Sequence, residues 1–113
     1  MPILEVDVVG RSTSGLARKI AGAAGPIVGR GHTWVIVRRV APADYAEDAG
    51  GTYRPMLVRI MERRRPRGAR LATEMRALTS AIAKACRHPT ENVHILYEPD
   101  AAGRVAFGGV PVT

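Results

Sequence analysis

The chain has 113 residues, the length of one small domain, and 46% of them are hydrophobic, which excludes an intrinsically disordered chain. A single cysteine excludes an internal disulfide framework, no apolar run approaches the roughly 18 residues of a membrane span, and Glu5 and Asp7 do not fit a signal peptide. We therefore expect one cytoplasmic domain over residues 1–113 with no membrane partner. The net charge is +7 and fifteen of the seventeen basic residues are arginine, which favours an anionic partner such as a carboxylate, a phosphate or nucleic acid.

The first forty residues predict a strand, a helix and a second strand. Residues 2–9 alternate between apolar side chains on one face and mixed side chains on the other, which is the pattern of a half-buried strand. Apolar residues then recur at helical spacing over residues 16–27. Because Pro26 lies within this run, we expect the helix to bend or end near Gly25. Residues 32–40 are rich in β-branched side chains and predict a second strand.

The second half of the chain predicts the same order of elements. A strand begins at Pro55, and an arginine-rich turn follows over residues 63–70. Apolar residues at helical spacing over residues 71–86 predict a second helix. Residues 92–97 predict a fourth strand, and a short terminal hairpin is expected within residues 100–109.

This repeated order predicts an α+β fold. Two βαβ repeats, about 2–40 and about 55–109, would form a four-stranded mixed sheet with two helices on one face, followed by the short C-terminal hairpin. The other face of the sheet would lack a cover within so short a chain. Self-association would supply that cover.

Pro2 is the first candidate for chemistry. Removal of Met1 would leave Pro2 as a secondary amine at the start of a strand. A free α-amino group has a pKa of about 7.7–8, and burial or nearby guanidinium groups would lower it, so that the amine would be a neutral base near physiological pH. The alternative is a proline that simply starts an edge strand.

The opening P-I-L-E-V-D-V-V-G-R-S resembles the tautomerase superfamily, and in particular the opening of 4-oxalocrotonate tautomerase. Residues 103–109 (GRVAFGG) are similar to that family's terminal hairpin. The doubled βαβ pattern resembles the longer branches, which include macrophage migration inhibitory factor, cis-3-chloroacrylic acid dehalogenase and malonate semialdehyde decarboxylase. The resemblance spans nearly the whole chain. It implies a homotrimer with three sites at subunit boundaries, in which Pro2 is the catalytic base.

The resemblance also implies which arginines hold a substrate carboxylate. Arg11 matches the family's arginine just after the first strand. In the arginine-rich turn the matching pair is either Arg67 with Arg70 or Arg65 with Arg67. A guanidinium group binds a carboxylate through two hydrogen bonds and polarises a neighbouring carbonyl. The alternative for these residues is a solvated basic turn.

Two further candidates lie on predicted strands. Arg38 and Arg39 point to opposite faces of the second strand, and the resemblance favours one of them, Arg39, as a substrate contact. His94 lies on the fourth strand, where the migration inhibitory factor branch has an active-site tyrosine, and its imidazole could donate to a carbonyl oxygen. The three histidines do not have the spacing of metal ligands, so no metal is expected.

These observations predict a cofactor-independent keto–enol tautomerase, an isomerase acting on a small carboxylate. Pro2 would take a proton from an enol hydroxyl, or from the carbon beside a carbonyl, and return it elsewhere on the same substrate. Decarboxylation, dehalogenation and hydration remain alternatives within the superfamily, as does a member that kept the fold and lost the activity. A basic nucleic-acid-binding module is the alternative of another class, and the small number of aromatic residues and the lack of a nucleic-acid motif argue against it.

Overall fold

The computed structural model describes residues 2–29, 31–51 and 53–113. It contains four strands in one sheet, two helices, and a terminal two-stranded hairpin. The elements are β1 (Ile3–Val9), α1 (Leu16–Val28), β2 (Trp34–Val40), β3 (Met56–Met61), α2 (Ala69–Cys86), β4 (Val93–Tyr97), β5 (Ala106–Phe107) and β6 (Val110–Pro111). No helix within the described residues is long and apolar enough to cross a membrane.

The four-stranded sheet has the order β2-β1-β3-β4 and is mixed. β1 pairs in parallel with β2, and β3 pairs in parallel with β4, whereas β1 and β3 are antiparallel. Each parallel pair is joined by one crossover helix, as a βαβ unit requires. The two units therefore meet along β1 and β3, and the predicted α+β class with a repeated βαβ unit is confirmed.

The core lies between the sheet and the two helices, which pack against each other on one face. Strict alternation along β1 and β3 turns every second side chain toward the helices. The largest fully buried side chains come from β1, β3 and both helices. They are Leu4, Val6 and Val8 of β1, Leu16 and Ile20 of α1, Met56, Val58 and Ile60 of β3, and Leu78, Ile82 and Cys86 of α2.

The first helix does not end near Gly25, as the sequence pattern suggested, but continues through Pro26 to Val28. Proline removes one N–H from the helical hydrogen-bond series, and Pro26 lies in the last turn, where the loss is smallest. The N–H of Gly29 still donates to the carbonyl of Gly25, at 2.8 Å, and closes that turn. The end of the helix therefore lies beside Pro2, at the start of β1.

The terminal hairpin extends beyond the predicted limit at Gly109. Gly108 and Gly109 form its turn rather than its end, and both have positive φ angles, of 55° and 85°. This is the backbone geometry of a tight two-residue turn between antiparallel strands. β6 consequently pairs with β5 through Val110 and Pro111.

The sheet face opposite the helices is largely uncovered within the described residues, and we call it the open face. Trp34 of β2 is 56% exposed there, and Ile36 and Leu96 are each 46% exposed. The Trp34 ring meets the ring of Phe107 edge to face, with centroids 5.2 Å apart. By strand alternation the open face consists of Ile3, Glu5, Asp7, Trp34, Ile36, Arg38, Leu57, Arg59, Met61, His94 and Leu96.

Two ion pairs lie across the middle of the open face. Arg38 of β2 contacts Glu5 at 2.7 Å, and Arg59 of β3 contacts Asp7 at 2.9 Å. All four side chains are partly exposed, so solvent screening keeps the contribution of each pair to the free energy of unfolding small. Neutralised charge between apolar side chains makes this face suitable for burial against another protein surface.

Candidate active site

Pro2 lies buried at the start of β1. Its carbonyl accepts a hydrogen bond of 2.9 Å from the backbone N–H of Trp34. Continuing the strand registers by one residue places Pro2 opposite Thr33 on one side and opposite Glu62 on the other. The predicted removal of Met1 concerns a residue that lies outside the described ones.

Gly29, at the end of α1, marks where the helix approaches Pro2. A Cβ atom at this position would lie 1.7 Å from Oγ1 of Thr33 and 3.3 Å from Cδ of Pro2. The Thr33 hydroxyl and the Pro2 ring therefore pack against the same point. Oγ1 of Thr33 is buried and has no hydrogen-bond partner among the described residues. Buried hydroxyls nearly always have a partner, so this one marks a place where a ligand could bind.

Glu62 is the next helix-facing residue after Ile60 of β3. Its Oε2 atom is also buried, and within the described part of the chain no donor reaches it. Burial, followed by the hydrogen bond with Glu74 and the charge of that side chain, raises the pKa of Glu62 to about 8. Because this pKa lies above 7, the protonated form of the Glu62 side chain is favoured at neutral pH.

Tyr97 of β4 is the third polar side chain in this region, next to Glu74. Its hydroxyl donates to Oε2 of Glu74 at 2.5 Å. Burial, and then the hydrogen bond to Glu74, raise the pKa of Tyr97, so the phenol stays neutral. We call Glu62, Glu74 and Tyr97 the acid cluster. It brings together the end of β3, the start of α2 and the end of β4.

A groove of about 370 Å³ runs between the end of α1 and the start of α2. Arg70 and Glu74 lie one turn apart on α2 and both line it, so a guanidinium group stands close to the acid cluster. The turn predicted over residues 63–70 ends earlier than expected, because α2 begins at Ala69. The lining residues are Ile27, Pro66, Ala69, Arg70, Thr73, Glu74 and Ala77.

A second groove, of about 510 Å³, lies on the other side of Tyr97 and is lined by Arg65, Arg67 and Arg104 around Asp100. Arg67 contacts Asp100 at 3.3 Å and is 64% exposed. A hydrogen bond from the Arg65 N–H, and the guanidinium of Arg67, lower the pKa of Asp100. Arg67 is thus already engaged by a carboxylate of its own chain.

Arg11 lies at the far end of β1 from Pro2. Its Nη1 atom donates to the carbonyl of Cys86 at 2.8 Å and lies 3.3 Å from Nδ1 of His88. His88 is buried and its Nε2 atom lies 2.9 Å from the carbonyl of Arg54, which requires a proton on Nε2 and leaves Nδ1 to accept from Arg11. Within one chain Arg11 holds the end of α2.

The two remaining candidates also lie away from Pro2. Arg39 pairs in register with Val8, near the end of β2, and its side chain is exposed. His94 pairs with Leu57 on the open face, and its Nε2 atom makes a short contact with the hydroxyl of Tyr53. One chain therefore brings Pro2 to the same end as Arg67 and Arg70, but does not bring Arg11, Arg39 or His94 there.

Sequence reasoning missed Thr33, Glu62 and Glu74. One signal was available for Glu62. Met56, Val58 and Ile60 define the helix-facing positions of β3, and the next position in the alternation is a glutamate instead of an apolar residue. A carboxyl group in that position must be buried at the edge of the core. Nothing in the sequence indicated that Glu74 would lie beside it.

No group of three or more histidine, cysteine, aspartate or glutamate side chains is arranged to hold a metal ion within residues 2–29, 31–51 and 53–113. Glu62 and Glu74 form a pair without a third ligand of this kind. The polar groups available for chemistry at this end of the sheet are therefore acids, hydroxyls and guanidinium groups, together with Pro2 itself.

A four-stranded mixed sheet of two βαβ units is the fold of the tautomerase superfamily. Solved structures agree over almost the whole chain. A fused 4-OT in a symmetric trimer is 17% identical, with 97% of this chain and 95% of that one covered and a TM-score of 0.75. Malonate semialdehyde decarboxylase is 21% identical, over 94% of this chain and 90% of that one, with a TM-score of 0.68.

The macrophage migration inhibitory factor of Trichinella spiralis is 15% identical, over 96% of this chain and 98% of that one, with a TM-score of 0.73. No family model and no curated protein sequence matches the chain. The chain therefore has the tautomerase superfamily fold, and the likeness lies in structure rather than in sequence.

Proposed function

We propose that this protein is a cofactor-independent tautomerase, with Pro2 as its catalytic base once Met1 has been removed. The observation that carries the proposal is that the strand registers, continued by one residue, place Pro2 between Thr33 and Glu62, each of which has a buried polar atom without a partner among the described residues. Such groups are available to a substrate. A buried amine next to a neutral acid can stay unprotonated near pH 7 and accept a proton.

The substrate is a small keto or enol carboxylate. Arg70 supports this choice, because a guanidinium group binds carboxylates and Arg70 lines the same groove as Glu74 of the acid cluster. Arg67 can assist only if substrate competes with its contact to Asp100. In this proposal Arg11, Arg39 and His94 act, if at all, in the site of a neighbouring subunit.

A homotrimer is part of the proposal. The open face supports it, because exposed Trp34, Ile36 and Leu96 lie beside neutralised ion pairs. The fused 4-OT of the same fold forms a symmetric trimer. In a trimer of this kind the open faces of three chains would cover one another, and so short a chain has few elements of its own to cover them.

Among the superfamily reactions, the acid cluster favours proton transfer over hydration. Hydration requires a base that deprotonates water, and Glu62 is the acid that stands nearest to Pro2 in the strand register. Because its pKa is raised to about 8, it holds a proton at pH 7 and is a poor base. Decarboxylation and dehalogenation are distinguished from tautomerisation by their products, carbon dioxide and halide.

The test begins with intact mass, which shows whether Met1 has been removed. The initial rate of ketonisation of phenylenolpyruvate is then measured for the wild type, for Pro2→Ala and for the control Pro42→Ala, whose proline is exposed in the loop after β2. We expect turnover that falls at least about 100-fold in Pro2→Ala and is unchanged in Pro42→Ala. Turnover that survives Pro2→Ala would exclude the proline base.

Arg70 is tested with the same assay. Arg70→Ala should raise KM about 10-fold or more, because it removes a charge-assisted contact to the substrate carboxylate. Arg76 is an exposed arginine on the same helix that does not line this groove, so Arg76→Ala is the matched control. Equal KM values for the two variants would contradict the assignment.

A further inference from the structure

We propose that Glu62 is a second catalytic residue, the acid that gives a proton to the substrate while Pro2 takes one. The inference rests on the proposed function and deepens it. It replaces a single shuttling base with an acid and a base that act on opposite ends of the enol system.

The placement follows from strand pairing. β1 and β3 are antiparallel with Ile3 opposite Met61, so the next pair is Pro2 and Glu62. Both residues belong to the helix-facing set that includes Leu4 and Ile60. Side chains directly opposite on such strands have Cβ atoms about 4.5–5.5 Å apart, so the two groups lie close enough to act on the same small substrate.

The surroundings keep the Glu62 carboxyl in its acid form. From α2, Glu74 faces it and already accepts a hydrogen bond from the hydroxyl of Tyr97 on β4. The amine of Pro2 faces it from β1, and Arg70 lies one turn from Glu74 at the groove. No donor in the described part of the chain reaches Oε2 of Glu62. A proton held there is neutral, buried and available.

The chemistry balances without another reactant. The Pro2 nitrogen forms an N–H bond as the enol O–H bond breaks, and the oxygen lone pair becomes the carbonyl π bond. The electrons of the C=C bond then form a C–H bond with the proton of Glu62, whose O–H bond breaks. The products are a ketone, a protonated Pro2 and a Glu62 carboxylate. These two charged groups are neighbours, so proton return from nitrogen to carboxylate restores the starting state.

The first test does not depend on activity. Glutamate side-chain carboxyl carbons are labelled with ¹³C and followed by NMR as a function of pH in the wild type, in Glu62→Gln and in the control Glu91→Gln. Glu91 is exposed in the short turn before β4, at the other end of the sheet. We expect one resonance that titrates near pH 8 and is missing only in Glu62→Gln. Titration of that resonance near pH 4 would overturn the proposal.

The second test measures kcat and kcat/KM for ketonisation of phenylenolpyruvate between pH 5 and pH 10. A carboxamide has no acidic proton, so Glu62→Gln should lower kcat about 100- to 10,000-fold at pH 7 and should remove the fall in kcat/KM above pH 8 that we expect of the wild type. Glu62→Asp, which keeps the acid, should recover part of kcat and the alkaline fall. Circular dichroism confirms that each variant is folded.

The outcomes separate the two proposals. Loss of turnover in Pro2→Ala together with wild-type turnover in Glu62→Gln would overturn the role of Glu62 and leave the proline base intact. If the wild type showed no turnover, or if turnover survived in Pro2→Ala, the proposed function would be overturned and the proton transfer from Glu62 with it. The NMR titration would still decide whether Glu62 holds a proton.

Discussion

Gly29 is the residue at which the helix layer approaches the proposed base. Any residue can adopt its φ of −137°, so backbone conformation does not require glycine here. Glycine is required because a Cβ atom would clash: it would lie 1.7 Å from the Thr33 hydroxyl and 3.3 Å from the Pro2 ring. We expect Gly29→Ala to lower the free energy of unfolding by about 1–3 kcal/mol, because the side chains at this point must move.

The matched control is Gly22→Ala on the same helix, where an added Cβ meets nothing within 4 Å. Alanine in an exposed helix position should stabilise by about 0.5–1 kcal/mol. Thermal unfolding and the ketonisation assay on both variants check the prediction. If Gly29→Ala kept both wild-type stability and wild-type rate, the close packing of Thr33 and Pro2 would be refuted.

Glu62 makes stability depend on pH. Its pKa is raised to about 8 in the folded chain, while in the unfolded chain it lies near 4, so only the folded chain holds the proton between these values. The free energy of unfolding should therefore fall as the pH rises from about 5 to about 8, and then level off. Because the side chain is only half-buried, solvent screening reduces the change to about 1–2 kcal/mol.

Urea unfolding at a series of pH values measures this dependence. Between pH 5 and pH 8 the free energy of unfolding of Glu62→Gln should fall by about 1–2 kcal/mol less than that of the wild type. A wild-type stability that stayed constant or rose over the same interval would show that the Glu62 carboxyl ionises normally in the folded chain.

At the scale of secondary structure, Arg11 holds the end of α2 to the end of β1. Its guanidinium donates to the carbonyl of Cys86, one of the last carbonyls of the helix, and contacts buried His88. Removing a charged donor from such a site leaves the carbonyl unpaired. We expect Arg11→Ala to lower the free energy of unfolding by about 1–2 kcal/mol, measured by denaturant unfolding.

The variant also tests the carboxylate role that the resemblance implies for Arg11. Lower stability with an unchanged KM would mean that the guanidinium only stabilises the helix end. A raised KM in an otherwise stable variant would instead place Arg11 in a neighbouring subunit's site.

The order of elements could be predicted from the sequence because local periodicity decides it. Apolar alternation over residues 2–9 and helical spacing over residues 71–86 are visible in any single chain. The end of α1 could not be predicted, since packing of its buried face outweighs the one hydrogen bond lost at Pro26. The hairpin limit was placed too early because Gly108 and Gly109 were interpreted as an end rather than a turn.

The candidate site was only partly predictable for a different reason. Pro2 and the arginine-rich turn stand out as residue types, but which of them share one end of the sheet depends on strand register. The sequence does not reveal that Glu62 lies opposite Pro2, or that Glu74, twelve positions further along the chain, lies beside Glu62. These contacts come from the antiparallel pairing of β1 with β3 and from the direction of α2.

At the scale of the whole molecule, the proposed trimer depends on the open face. Ile36 is 46% exposed there and lies opposite Glu5 of β1, so a lysine at this position is compatible with the single chain but would be costly inside an interface. We expect Ile36→Lys to shift the mass of the particle from three chains toward one, measured by light scattering after size-exclusion chromatography.

The control is Ser80→Lys, which adds the same charge to an exposed position of α2, away from the open face. It should keep the wild-type mass. A wild-type protein that already has the mass of one chain would rule out the trimer, and an unchanged mass in Ile36→Lys would mean that chains associate through another surface.

The contact between Trp34 and Phe107 has an optical consequence. Trp34 is the only tryptophan of the chain and lies on the open face with more than half of its surface exposed to water. Its indole emission therefore reports whether that face is wet or covered. Dilution that separates the chains should move the emission to longer wavelengths and make it easier to quench with acrylamide, so the protein carries a built-in fluorophore with which its own dissociation can be followed without any label.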